Sequence, residues 1–207
     1  MKKELTYFSI DGAVGGSQGW LKNFVMNFGG CAAVAACDVC IQLAGKMGLK
    51  ELYPFDVKKL TRDDYCDFTQ VMKPYLRPRV MGIKKTEWFI EGGEQYLADV
   101  NKKNGKQIHL EMTSISGSED VSKAIAAIKT QIDDGYPVPY LLLHHQNKEL
   151  LKDFEWHWFM VIGYEETEND FLVKVATYGH AWWFPLYELW NTGHEERGGI
   201  VLVRYKK

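Results

Sequence analysis

No window of the chain comes near the roughly 18 consecutive apolar residues that a membrane-crossing helix needs, so no membrane span is expected. The opening stretch "MKKELTYFSIDGAVGG" has a small basic end with no apolar run behind it. That is not the build of a secretory signal, and a cytoplasmic protein is the expectation. An excess of either charge is missing too: 25 Lys and Arg stand against 27 Asp and Glu, spread along the chain. The lysine pairs Lys102-Lys103 and Lys206-Lys207 are too short to make a nucleic-acid-binding stripe. Neither nucleic acid nor membrane is an expected partner. Repeats, low-complexity tracts and linkers are also absent, so residues 1–207 are expected to form one domain.

Metal and cofactor signatures are incomplete. "CDVC", Cys37 to Cys40, has no second CxxC to complete a zinc site and lies inside a helical pattern, where packing explains it. "GHEERGG" lacks the second histidine of a zinc-peptidase motif, and "GAVGGSQG" lacks the Gly-Lys-Ser/Thr ending of a phosphate loop. No metal and no cofactor is expected. The cysteines, Cys31, Cys37, Cys40 and Cys66, would be mostly reduced in the cytoplasm, which disfavours a disulfide framework. Each thiol therefore needs its own explanation.

What is present is a change of periodicity. Helical patterns fill the first two thirds of the chain and short apolar strands dominate after about Pro137. The run from Cys31 to Met47 is apolar around most of its circumference, which predicts a buried central helix. "TRDDYCDFTQVMKPYL" predicts a helix capped by Thr61, and "TEWFIEGGEQYLADVNKKNG" one that stops at Asn104-Gly105. "QIHLEM" alternates as a strand, and "SEDVSKAIAAIKTQIDDG" predicts a helix capped by Ser118, with acids in its first turn and Gly135 at its end. Five strands are then expected, in "YPVPYLLLHH", "WHWFMVIGYEE", "DFLVKVATYG", "AWWFPLYELW" and "GGIVLVRYK". Leu141–Leu143 and Phe159–Ile162 are apolar on both faces and should be central. The expectation is an α+β fold: a mainly helical part over about 1–118, with the Cys-bearing helix packed on an antiparallel sheet or half-barrel formed over about 119–207.

Cys31 opens the central helix, where free backbone N–H groups and the helix dipole favour negative charge, so its thiol pKa is expected to fall below the free value of about 8.5. Gly29 and Gly30 let the chain turn into the helix. A thiol nucleophile needs a base, and a histidine later in the chain is the usual one. His109, His144, His145, His180 and His194 read as structural or solvent-facing. His157 opens the most apolar strand, where an imidazole can face a neighbouring element. Trp156, Trp158, Trp182, Trp183 and Trp190 read as core, with one tryptophan beside His157 also able to wall a substrate cleft.

The ordered set of Gln18 in "GGSQGW", Cys31 in "GGCAAVAA", "DDGYPVPYLLL" and His157 in "WHWFMVIGY" resembles the pattern of bacterial papain-like cysteine peptidases, including the bacteriocin-processing (double-glycine) peptidase domains. The resemblance leaves roughly residues 49–116 without a counterpart. It implies a papain-like fold and amide hydrolysis on a peptide or small-amide substrate, with Cys31 as nucleophile, His157 as base and Gln18 as oxyanion-hole donor with the Cys31 N–H. Gln18 stands farther from the cysteine than the family usually has it, and Asn23 or Asn27 are alternatives for that donor. The family orients its histidine with an Asn or Asp after the next strand; here the sequence reads "KVATYGHAWW", and Thr177 is the side chain offered. Two other readings remain open at this level: a non-catalytic binding domain on the same fold, and an acyltransferase.

Overall fold

The computed structural model describes residues 1–79 and 82–206. Val80 and Met81, and Lys207 of the second lysine pair, lie outside the described residues. The N-terminal part contains strand β1 (Lys2–Glu4), the short hairpin β2 (Ser9–Ile10) and β3 (Ala13–Val14), a six-residue helix α1 (Phe24–Gly29), then α2 (Cys31–Met47), α3 (Arg62–Met72) and α4 (Thr86–Asn104). There follow β4 (His109–Ser116), α5 (Val121–Asp133), β5 (Val138–Leu142), the one-turn α6 (Lys148–Leu151), β6 (His157–Glu166), β7 (Phe171–Thr177), β8 (His180–Pro185), α7 (Leu186–Trp190) and β9 (Gly198–Lys206). The class is α+β, mixed helix and antiparallel sheet.

One seven-stranded sheet organises these elements, in the order β4-β9-β5-β6-β7-β8. β5 pairs with the start of β6, Leu142 opposite His157, and β7 takes the other edge of β6. β1 pairs with Gly163–Glu165, so it prolongs β5 along the same edge. Both β1 and β4 come from the first 118 residues, and the sheet is therefore not confined to the C-terminal part.

Two cores sandwich this sheet. On one face Leu141, Trp158, Met160 and Val201 pack with α2 and its helical neighbours; on the other, Tyr140, Phe159, Val161 and Ile200 pack with Ile128 and Ile132 of α5 and Leu189 and Trp190 of α7. Alternate residues of β5 and β6 serve alternate faces, so both strands are buried throughout their paired length, as their unbroken apolar runs predict. α2 is buried nearly all round because its Ala32, Ala33, Ala35 and Ala36 let neighbours approach closely, and Cys37 and Cys40 are packing residues within it.

Local signals match in detail at several ends. Thr61 accepts from the Asp64 N–H at 3.1 Å, and Gly105 closes α4 in the left-handed region. At α5 the cap is Asp120, accepting from the Ser122 N–H at 2.8 Å, not Ser118, and no acid occupies the first turn. Ser118 pairs with the Ser116 hydroxyl instead. "AWWFPLYELW" is a strand only as far as Pro185, after which the chain turns into α7.

Gly30 is the hinge between α1 and α2. A Cβ there would stand 2.4 Å from the Met26 carbonyl oxygen, which itself accepts the Gly30 N–H at 2.9 Å. Gly30→Ala is expected to lower stability by about 1–3 kcal/mol through overpacking. Urea unfolding curves of the variant beside the parent measure it, with Gly12→Ala unsuitable as a control because of its positive φ.

Candidate active site

Cys31 is the first residue of α2 and is buried, yet it also lines a cleft of about 660 Å³ together with Phe24, Phe28, Pro78, Arg79 and Trp156. Three backbone N–H groups favour its thiolate, those of Trp158, Ala32 and Cys31 itself. Two of these are the open N–H groups of a helix start, and the third comes from β6, one residue past His157. Burial outweighs all three. The thiol is pushed above its ordinary range, which corrects the expectation of a lowered pKa: a first-turn dipole effect is worth about 1 kcal/mol, and full desolvation of a thiolate costs more.

His157 is 5% exposed and starts β6. Its Nε2 lies 2.7 Å from the Thr177 hydroxyl, and its Nδ1 lies 3.4 Å from the Tyr178 hydroxyl. The Tyr178 ring stacks on the imidazole, centroids 4.6 Å apart and planes within 6°. Burial pushes the His157 pKa down to about 3, so the ring is neutral at physiological pH. If Nε2–H donates to Thr177, Nδ1 carries the lone pair, which faces the Tyr178 hydroxyl. The burial that raises Tyr178 to about 12 is reinforced by the Cys31 thiol.

Sequence reasoning did not find Tyr178. β7 and β8 are joined by a two-residue turn, Tyr178-Gly179, with Thr177 opposite His180 and φ of 50° and 79° at the two central residues. That is the positive-φ pattern of a type I′ hairpin. The β2–β3 hairpin has the same pattern with the favoured pair Asp11-Gly12. A tyrosine held where Asp or Asn is preferred is strained, and Trp156, immediately before His157, also has a positive φ of 52°. Of the three non-glycine residues with positive φ among the described residues, two flank the imidazole, and such strain collects at functional sites. The visible signal was the dipeptide "YG" between two strands.

Gln18 is buried in a one-turn 3-10 helix, Gln18–Trp20. Its amide donates to the Asn27 carbonyl at 2.6 Å, and the Asn27 amide returns to the Gln18 and Leu21 carbonyls. One N–H of the Gln18 amide remains for another acceptor. Asn23 caps α1 by accepting from Met26 N–H, and both Asn23 and Asn27 are exposed, so Gln18 is the buried amide of the three. The long interval to Cys31 is taken up by α1.

The loop bearing Gln18 is fixed from below by Asp38, two turns along α2 from Cys31. Its carboxylate is 4% exposed and accepts from Tyr65 Oη at 2.7 Å, Tyr7 Oη at 2.9 Å and the Gly16 N–H at 3.3 Å. Gly16 has no room for a side chain, since a Cβ would fall 1.8 Å from Tyr65 Oη. Burial raises Asp38 to about 6, against the pull of its three donors.

Of the other histidines, His144 packs edge-on against Trp156 of the cleft, ring centroids 4.5 Å apart. His145 is fully buried, with Nε2 at 2.9 Å from the Glu188 carbonyl and Nδ1 accepting the Asn147 N–H, a satisfied core histidine. His109, His180 and His194 are exposed. Among the described residues no three His, Cys, Asp or Glu side chains are grouped to hold a metal ion, and no helix is long and apolar enough to cross a membrane. All four cysteines are free.

No protein-family profile matches this chain, and no curated protein or solved structure is significantly similar to it.

A raised thiol and a neutral imidazole have a measurable signature. Iodoacetamide alkylation of Cys31 is expected to climb about tenfold per pH unit from pH 5 to 8, with no low-pH plateau, because thiolate is the reactive form and no thiolate–imidazolium pair is stored at rest. Peptide mapping of the alkylated protein measures it. A plateau near pH 5 that His157→Ala removes would show a resting ion pair instead.

Proposed function

We propose that the protein is a papain-like cysteine hydrolase acting on peptide or small-amide bonds. The observation that carries this reading is the meeting of α2 and β6: Cys31, at the start of α2, lines an open cleft with Trp156, the residue before His157, and His157 Nε2 is held by Thr177. The reaction is acyl transfer. His157 Nδ1 takes the thiol proton as the sulfur attacks the substrate carbonyl, since neither group is charged beforehand. The oxyanion forming on the former carbonyl oxygen is met by the Cys31 N–H and the remaining N–H of Gln18. Collapse expels the amine, which takes the proton from the imidazolium, and water then releases the acyl group by the reverse sequence. Tyr178 limits tilt of the imidazole by stacking. Four free thiols suit a reducing, cytoplasmic setting.

The test is turnover of peptide, isopeptide and small-amide libraries by the parent chain and by Cys31→Ala. Release of amine from at least one class, with an acyl adduct on Cys31 seen by mass spectrometry and lost in the variant, is the expected result. The uncharged resting pair also favours a second reading, a binding domain that keeps the cleft without turnover; no release and no adduct across all three libraries would decide for it.

A further inference from the structure

The cleft at Cys31 has a wall that the resemblance does not supply. α1 fills the interval between Gln18 and Cys31, and it turns Phe24, Val25 and Phe28 outward at 77%, 51% and 81% exposure. Such exposure of large apolar groups, side by side and next to a candidate nucleophile, marks a surface that meets a ligand. Facing α1 is the segment after α3, with Pro78 and Arg79 against Gly29. Between Lys73 and Thr86 the sequence has Arg77, Arg79, Lys84 and Lys85 and no acid. None of these four is in an ion pair among the described residues. In a chain of net charge −2, that is a local excess of positive charge beside an apolar wall.

Arg79 is also placed in advance. Its guanidinium lies over the Trp88 ring at 3.8 Å from the centroid, and Lys85 lies over the same ring at 5.5 Å. Stacking uses the face of the guanidinium and leaves its in-plane N–H fork for a carboxylate. Arg79 and Phe28 line the same cleft as Cys31 and Trp156.

We propose that this cleft selects peptide substrates in which a large apolar residue stands next to an acidic one, the apolar side chain lying against Phe24, Phe28 and Trp156 and the carboxylate on Arg79. This rests on the hydrolase reading for turnover but not for binding, and the two are separable. The probes are capped tetrapeptide amides carrying Phe-Asp, Phe-Asn or Phe-Lys, titrated by calorimetry into the Cys31→Ala chain at about 50 mM salt, where screening is weak. The Phe-Asp peptide is expected to bind at least about tenfold tighter than Phe-Lys, with Phe-Asn between, a difference on the scale of one charge-assisted hydrogen-bonded pair. Arg79→Glu should reverse the order, and Phe28→Ser should weaken all three; both side chains are exposed, and circular dichroism checks that the variants fold. Charge-ordered binding together with no release and no adduct across the three substrate libraries would support this inference and overturn the hydrolase reading. Cleavage with no charge order would do the opposite. Equal binding of the three probes, no binding of any, or binding only to vesicles containing phosphatidylserine overturns the inference, the last in favour of a membrane-docking surface.

Discussion

His157→Ala is expected to lower kcat for the best amide substrate at least about a hundredfold, the cost of losing a general base, while Thr177→Ala lowers it by less than about tenfold. The difference follows from the 2.7 Å contact between His157 Nε2 and the Thr177 hydroxyl. A neutral hydrogen bond contributes about 1 kcal/mol, and a hydroxyl stabilises a developing imidazolium far less than a carboxylate does. In the proposed mechanism Thr177 positions the ring, so its removal should act on kcat with KM nearly unchanged, and Thr177→Ser should recover most of the loss. The Tyr178 stack keeps the ring from swinging free when the threonine is gone, so Thr177→Ala with Tyr178→Ala should cost more than the product of the single effects. A Thr177→Ala chain that folds but is as inactive as His157→Ala would make the threonine indispensable. A His157→Ala chain as active as the parent would remove the imidazole from the mechanism.

The parts of this site that could be read from the sequence are those governed by one local rule. Cys31 sits at the start of a helix whose limits are set by Gly30 and Gly48. His157 opens a strand whose unbroken apolar run forces it to the middle of the sheet. Thr177 follows from register, since it ends the strand that pairs with β6. What could not be read depends on competition or on distance along the chain. Ser118 and Asp120 are both good caps two residues apart, and the hydroxyl pairing of Ser116 with Ser118 decides between them. α1 is six residues long, too short to show a helical period, and its apolar residues point outward. The thiol pKa depends on how completely α2 is covered by β6, a tertiary quantity that overrides the first-turn rule. Asp38 is visible in the sequence as one acid in an apolar helix, but its partners Tyr7, Gly16 and Tyr65 come from three separate segments.

Asp38 and His157 together predict an unusual dependence of stability on pH. The His157 pKa is about 3 in the fold and about 6.5 in the unfolded chain. Folding therefore disfavours its proton, and its contribution to stability is complete above pH 6.5 and falls as pH drops from 6.5 towards 3. Asp38 runs the other way: at about 6 in the fold against 3.8 unfolded, it holds its proton more tightly when folded. Its contribution is complete below 3.8 and is lost as pH rises through 3.8 to 6. Between pH 4 and 6 the two slopes, each up to about 1.4 kcal/mol per pH unit, oppose one another. Removing either group should expose the other. Relative to the parent chain, Asp38→Asn is expected to lose about 2 kcal/mol on going from pH 6 to pH 4, because the stabilisation Asp38 regains on protonation is gone, and His157→Ala to gain a similar amount, because the destabilisation from the buried imidazole is gone. Taking differences from the parent cancels the weaker, solvent-screened effects of Glu4, Glu119, Asp120 and Glu155, whose carboxyls are held low by partners near the surface. Urea unfolding at half-unit pH steps measures all three chains. Curves that stay parallel from pH 4 to 6 would mean that both groups are solvated in the folded protein, and with that the neutral imidazole required by the proposed proton transfer would lose its physical basis.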